Sequence, residues 1–173
     1  MKIAVTPLGL DGMKKLSSNG ADIFLIGNSA FANRLAHSFS TEEIIEAIAL
    51  VKSLNKEIYI MINMIVHNEN LKDINDFIYS IKDLNVDGII FGDLAVYQTA
   101  KKVGLDDILI YSPETLNTNY YDPIFWSKQG IKGLTISKEI TLEDVKKISK
   151  DKLLEISLIG HGHLNMFHSK RPL

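Results

Sequence analysis

Residues 57–93 read "EIYIMINMIVHNENLKDINDFIYSIKDLNVDGIIFGD", and this stretch decides the fold. Its ends, "EIYIMINM" and "DGIIFGD", are short apolar runs without polar alternation, bounded by turn-forming Asn, Asp and Gly. That is the pattern of strands covered on both faces. Between them Leu71, Ile74, Ile78, Ile81 and Leu84 recur at the helical period, so one stripe of a helix faces the strands. Two buried strands joined through a helix form a parallel pair with a right-handed crossover.

The alternation extends in both directions. "KIAVTPL" and "ADIFLIG" precede this unit, and "DILIYSP", "IKGLTIS" and "LLEISLIG" follow it, giving seven expected strands. In "STEEIIEAIALVKSLN", Ile44, Ile48 and Val51 share a face and Ser40 with Glu43 makes a capping box. Thr141 with Asp144 gives a looser cap before "LEDVKKISK". A parallel sheet of this kind is either rolled into a barrel or left open and doubly wound. The first turn, "PLGLDGMKK", lacks the G-x-G-x-x-G of a dinucleotide-binding open sheet, and the tail's "GHGHLN" has Asn165 at the third glycine with Pro172 soon after. A barrel is therefore expected. A complete eight-stranded barrel takes about 250 residues. The expected architecture is an α/β TIM-barrel-like parallel barrel that is incomplete, one domain over residues 1–173 cut short at its C-terminal end. Its open edge calls for cover by a missing segment or a partner.

The chain is 46% hydrophobic with a formal net charge of -2, the balance of one globular domain with a sizeable core. It has no run of apolar residues long enough for a membrane span and no secretory leader pattern, so a cytoplasmic, non-membrane protein is expected. There is no cysteine, which removes disulfides, thiolate nucleophiles and thiolate-held zinc or iron-sulfur clusters from these residues. The Lys pairs are dispersed, so an RNA contact requires a local patch or a partner.

In a parallel barrel the working groups lie where strands end at their C-termini. The polar residues just after each apolar run are Asn28 and Arg34, Asn63 and His67, Asp93, Ser112 and Glu114, Lys138 and Glu139, then His161 and His163. Each also has a purely structural reading: Asp93 caps a helix, Asn63 bonds a neighbouring loop, and Lys138 with Glu139 is an exposed pair. His161 and His163 are two apart, so on extended backbone they face the same way, as a metal clamp requires, with His168 nearby. A stable metal site needs three or four ligands, and hydrogen-bonding or substrate-orienting histidines are the preferred reading. The nearest match to a hydrolase elbow, "GNSAF", lacks the second glycine.

The blocks "NGADIFLIGNSAFANRLAHSFSTEEI", "IYIMINMIVHNE", "VDGIIFGD", "YSPETLNTNY", "TISKEIT" and "HGHLNMFHSKRP" resemble, in order and spacing, those of the collagenase-like peptidase family U32, over nearly the whole chain. The family's last block has His-Gly and a first Cys, then Ser, a basic residue and a second Cys. His161, Gly162, Ser169 and Arg171 match it, whereas Asn165 and Pro172 stand at the cysteine positions. The resemblance implies the shorter, cysteine-free type paired with a cysteine-bearing paralogue in hydroxylating the wobble uridine of transfer RNA, with prephenate as the linked metabolite. It implies an accessory or catalytic-partner subunit with no iron-sulfur cluster of its own. Its partners would be the paralogue or a second copy closing the barrel, tRNA, and a small anionic metabolite. The positions it marks are Arg34, Asn63, His67, Asp93, Ser112, Asn119, Glu139, His161, Ser169 and Arg171, with Glu114 replacing a common Gln. A peptidase, as the family name implies, and a small-molecule binding module without chemistry are the alternatives; no complete nucleophile, base and orienter set is legible.

Overall fold

The computed structural model describes residues 1–113 and 115–162. Strands and helices alternate throughout: β1 (Ala4–Val5), α1 (Leu10–Ser18), β2 (Ile23–Ile26), α2 (Thr41–Ser53), β3 (Glu57–Ile62), α3 (Leu71–Ile81) and β4 (Gly88–Phe91) come first. They are followed by α4 (Leu94–Lys102), β5 (Leu109–Tyr111), α5 (Tyr121–Lys128), β6 (Gly133–Thr135), α6 (Leu142–Ile148) and β7 (Glu155–Ser157). The strands lie side by side in chain order, every neighbouring pair parallel. With no reversal of strand order, the sheet curls into a half-barrel with β1 and β7 at its edges.

The central strands are apolar on both faces because each face has its own partner layer. Phe24, Ile26, Ile58, Ile60, Ile62, Ile89 and Phe91 pack outward against Met13, Ile44, Val51, Ile74, Ile78 and Ile81 of the helices. The alternate residues Ile23, Tyr59, Met61, Ile90 and Ile110 form a second cluster on the other face of the sheet. The expectation of strands buried on both faces fails at the edges. Ala4, Glu155 and Ser157 are exposed, because no strand lies beyond β1 or β7 to cover them.

Local chemistry fixes the elements. Ser40 accepts from the Glu43 N–H (3.2 Å) while the Glu43 carboxylate accepts from the Ser40 N–H (2.8 Å), so the expected capping box forms at α2. Thr141 caps α6 through the Asp144 N–H. Gly88 and Gly133 allow close approach: a Cβ on Gly88 would lie 2.8 Å from the Tyr59 ring, and one on Gly133 2.8 Å from the Glu155 carbonyl. Edge strand β1 is tied in by Asp22, which accepts from the Ile3 N–H (2.9 Å) and pairs with Lys56 (3.3 Å). Among the described residues no helix is long and apolar enough to cross a membrane.

Candidate functional site

The C-terminal ends of the strands form one rim, and the β2–α2 segment folds over it. Asn28 stabilises that segment, donating to the Phe39 carbonyl (3.0 Å) and accepting from the Ala30 N–H (2.8 Å). Ala32 and Leu35 pack with the second apolar cluster and sit so close to Gly27 that an added Cβ would meet them at 3.0 and 3.3 Å. Arg34 is half-buried in this segment and adopts left-handed backbone (φ 59°), an uncommon conformation for a long side chain.

Beneath the segment, Asn63 follows β3 and is 6% exposed. Its Oδ1 accepts from the Asn33 N–H (2.9 Å), while its Nδ2 has no hydrogen-bond partner. The next strand end is bare: a Cβ on Gly92 would lie 3.4 Å from the Ser112 carbonyl and 3.5 Å from the Asn63 carbonyl. Ser112 is buried beside it, its N–H donating to the Phe91 carbonyl (2.7 Å). The ends of β3, β4 and β5 are thus adjacent, with Gly92 between Asn63 and Ser112.

Asn117, in the loop after β5, is a further buried rim-side amide, and sequence reasoning passes over it. It is 2% exposed with φ 69°, and its Nδ2 donates to the Thr135 carbonyl (2.9 Å) and more weakly to the Tyr111 carbonyl (3.4 Å). Its Oδ1 is buried without a partner. The available signal is its type: asparagine tolerates left-handed backbone and bonds nearby main chain, so an Asn in a strand-to-helix loop is a candidate splice. Beside it, burial against Trp126 and Phe91 (ring centroids 4.3 and 5.2 Å away) pushes the Tyr111 hydroxyl above its ordinary pKa, with the Asp122 and Asp93 charges adding to the effect.

Other expected rim residues have structural duties or face outward. Asp93 caps α4 through the Ala95 N–H (2.9 Å) and also accepts from the Val66 N–H (3.1 Å), tying two loops together. Asn119 accepts from the Tyr121 N–H (3.0 Å) at the start of α5. His67, Asn119, Glu139 and His161 are exposed, and Lys138 is half-buried. Glu114, His163, Asn165, His168, Ser169, Arg171 and Pro172 lie outside the described residues. Among the described residues no group of three or more His, Asp or Glu is placed to hold a metal ion. The sequence has no cysteine, the usual ligand of an iron-sulfur cluster.

A buried donor, Asn63 Nδ2, and a buried acceptor, Asn117 Oδ1, are therefore each left unsatisfied near the strand ends. Such groups cost free energy unless something pairs with them.

Residues 9–173 match the model of peptidase family U32. The chain belongs to peptidase family U32. Among curated U32 relatives, it is 30% identical to tRNA hydroxylation protein P2 of Bacillus subtilis over 99% of this chain and 56% of that protein. It is 27% identical to tRNA hydroxylation protein P1 of the same organism, over 96% of this chain and 40% of that one. An uncharacterized protease, MJ0090 of Methanocaldococcus jannaschii, is 31% identical over 88% of this chain and 38% of its own length. The chain thus spans about half the length, or less, of these relatives. The solved structure of the U32 peptidase Mk0906 superposes with a TM-score of 0.67 at 12% identity, covering 91% of this chain and 67% of that one. At that identity the likeness speaks for the fold, and it agrees with the barrel-type U32 architecture described above.

Proposed function

We propose that this chain acts in the hydroxylation of transfer RNA at the wobble uridine, as the cysteine-free member of a pair, with its strand-end rim as the working face. The observation that carries this reading is the 30% identity to tRNA hydroxylation protein P2 along 99% of the chain. The rim supports it chemically: buried amides suit hydrogen bonding to a ligand. A partner or further segment supplies what these residues lack, namely redox chemistry and the cover for the β1 and β7 edges. Prephenate, a dicarboxylate, suits a bidentate arginine such as Arg34.

The peptidase reading is kept second, because a relative of comparable identity is called a protease. Nucleophilic peptide hydrolysis needs a hydroxyl or thiol activated by a neighbouring base. Ser112 and Ser137 are buried strand-end serines, and the hydrogen bond seen to the Ser137 hydroxyl comes from the Glu139 backbone N–H rather than from a base.

Mass spectrometry of wobble nucleosides from a strain lacking the gene tests the proposal. Loss of the hydroxylated uridine, restored by the wild-type gene, is expected. Unchanged hydroxylation together with release of peptides from casein by the purified chain would favour the peptidase.

A further inference from the structure

Helix α5 buries one side and leaves the other without a packing layer among the described residues. Pro123 and Trp126 are buried, and the Trp126 ring packs on Tyr111, Phe91 and Tyr97 (centroids 4.3, 5.7 and 5.7 Å away). Tyr121, Phe125 and Lys128 recur at the helical period on the opposite side and are exposed, the two rings at 64% and 56%. Tyr120, 53% exposed, joins them: its ring centroid lies 4.3 Å from that of Tyr121, with 31° between the planes. The backbone under this pair is held in place. Asn119 donates its N–H to Asp122 Oδ2 and accepts from the Tyr121 N–H with its Oδ1, both at 3.0 Å, so reciprocal bonds bracket Tyr120 and Tyr121. Three exposed rings between Tyr120 and Phe125 form a patch, unlike the single exposed apolar residues common on any surface.

We propose that Tyr120, Tyr121 and Phe125 are a stacking platform for unpaired bases of single-stranded RNA, with Lys128 meeting a phosphate. The inference rests on the RNA reading above and goes further by naming the surface that grips the strand. The charge pattern selects this occupant. From Thr115 to Lys128 the charged side chains are Asp122 and Lys128. Asp122 is half-buried and accepts from the Asn119 N–H, so the exposed charge of the strip is the cation. Lysine is depleted from the cores of protein interfaces, whereas a cation beside aromatic rings matches a phosphate beside its base. Every base has a π-face to lay on a ring, so such a platform holds a strand without reading its sequence. Tyr120 and Tyr121 begin α5, on the side of the sheet where β5 ends, so a strand held there runs beside the rim. On a chain of net charge -2 with dispersed lysines, stacking rather than phosphate attraction supplies most of the affinity, and its dependence on salt is shallow.

The test titrates the full 173-residue chain into a short, fluorescein-labelled, uridine-rich single-stranded RNA and into the same RNA annealed to its complement, reading fluorescence anisotropy. Wild-type protein is expected to bind the single strand more tightly than the duplex, whose bases are already stacked. Replacing both Tyr120 and Tyr121 by Leu keeps an apolar surface but removes the π-faces, and should weaken single-strand binding at least roughly fivefold, the low end for one stacked base. Replacing both by Phe keeps the rings and should hold the affinity within about twofold. Both side chains are exposed, so both variants should fold, which a thermal melt checks. Equal affinity of the wild type and the Leu variant, or no binding of the single strand by the wild type, would overturn the inference. If the Leu variant kept its RNA affinity but lost self-association of the chain in sedimentation, the patch would be a protein contact and the inference would fall. If deleting the gene abolishes wobble hydroxylation while RNA affinity ignores the rings, this inference fails and the proposed function stands. Ring-dependent binding with hydroxylation unchanged by the deletion upholds the platform and overturns the proposed function.

Discussion

At the scale of single residues, what the molecule needs is often the absence of an atom or the charge it carries. Gly133 has the Glu155 carbonyl 2.8 Å from where its Cβ would be, and a backbone atom in a sheet cannot turn aside as a side-chain end can. Gly133→Ala should therefore cost about 1–3 kcal/mol by forcing β6 and β7 apart, read as a lower urea midpoint. Asp22 gives a pH signature. The Ile3 N–H and then Lys56 hold its carboxylate below the ordinary range, so its contribution is present at neutral pH and is lost as pH falls through that lowered value. The Ile3 amide shift should titrate below the ordinary aspartate value of about 3.9, and Asp22→Asn should abolish that titration while loosening β1. Residue roles are only partly legible in the sequence. Asn63 stands out because it directly follows an apolar strand. Asn117 does not, because it sits six positions past Tyr111 in a loop whose path back to Thr135 is a tertiary fact. Asp93 has the right position but serves two backbone N–H groups, a duty visible only once the Val66 loop is placed beside it.

At the scale of elements, the sequence is explicit wherever a rule is local. The helical stripe of α3, the box at Ser40 and Glu43 and the cap at Thr141 all depend on residues within a few positions, and all form as expected. Removing the box by Ser40→Ala should cost about 1 kcal/mol, measured as a lower thermal midpoint. Leu71 belongs to the apolar stripe by its spacing but is 37% exposed, because it begins α3 at the strand-end rim, above the layer that buries Ile74 and Ile78. The edge strands differ from the central ones for a similar reason. The run "LLEISLIG" is as apolar as its neighbours, yet Leu158 and Ile159 are 50% and 43% exposed, since burial of β7 requires a neighbour that these residues do not contain.

At the scale of the whole molecule, parallel order without reversal places every strand end on one rim, so Asn63 after β3 and Asn117 in the loop after β5 stand on the same side of the sheet. The barrel type is legible because strand and helix alternate and the dinucleotide signature is missing. What the rim binds is not, since it depends on how the fold places and bonds each strand-end side chain. The role of this rim as the working face is tested most directly by comparing wobble nucleosides from cells whose sole copy of the gene carries Asn63→Asp with cells carrying Asp22→Asn. Asp22 precedes β2, at the end of the sheet opposite the rim, so its change weakens the fold there and controls for stability. Hydroxylated uridine should fall at least roughly tenfold in the first strain and stay at the wild-type level in the second. Wild-type levels in both strains, with the Asn63→Asp protein folded and present at normal abundance, would contradict the claim.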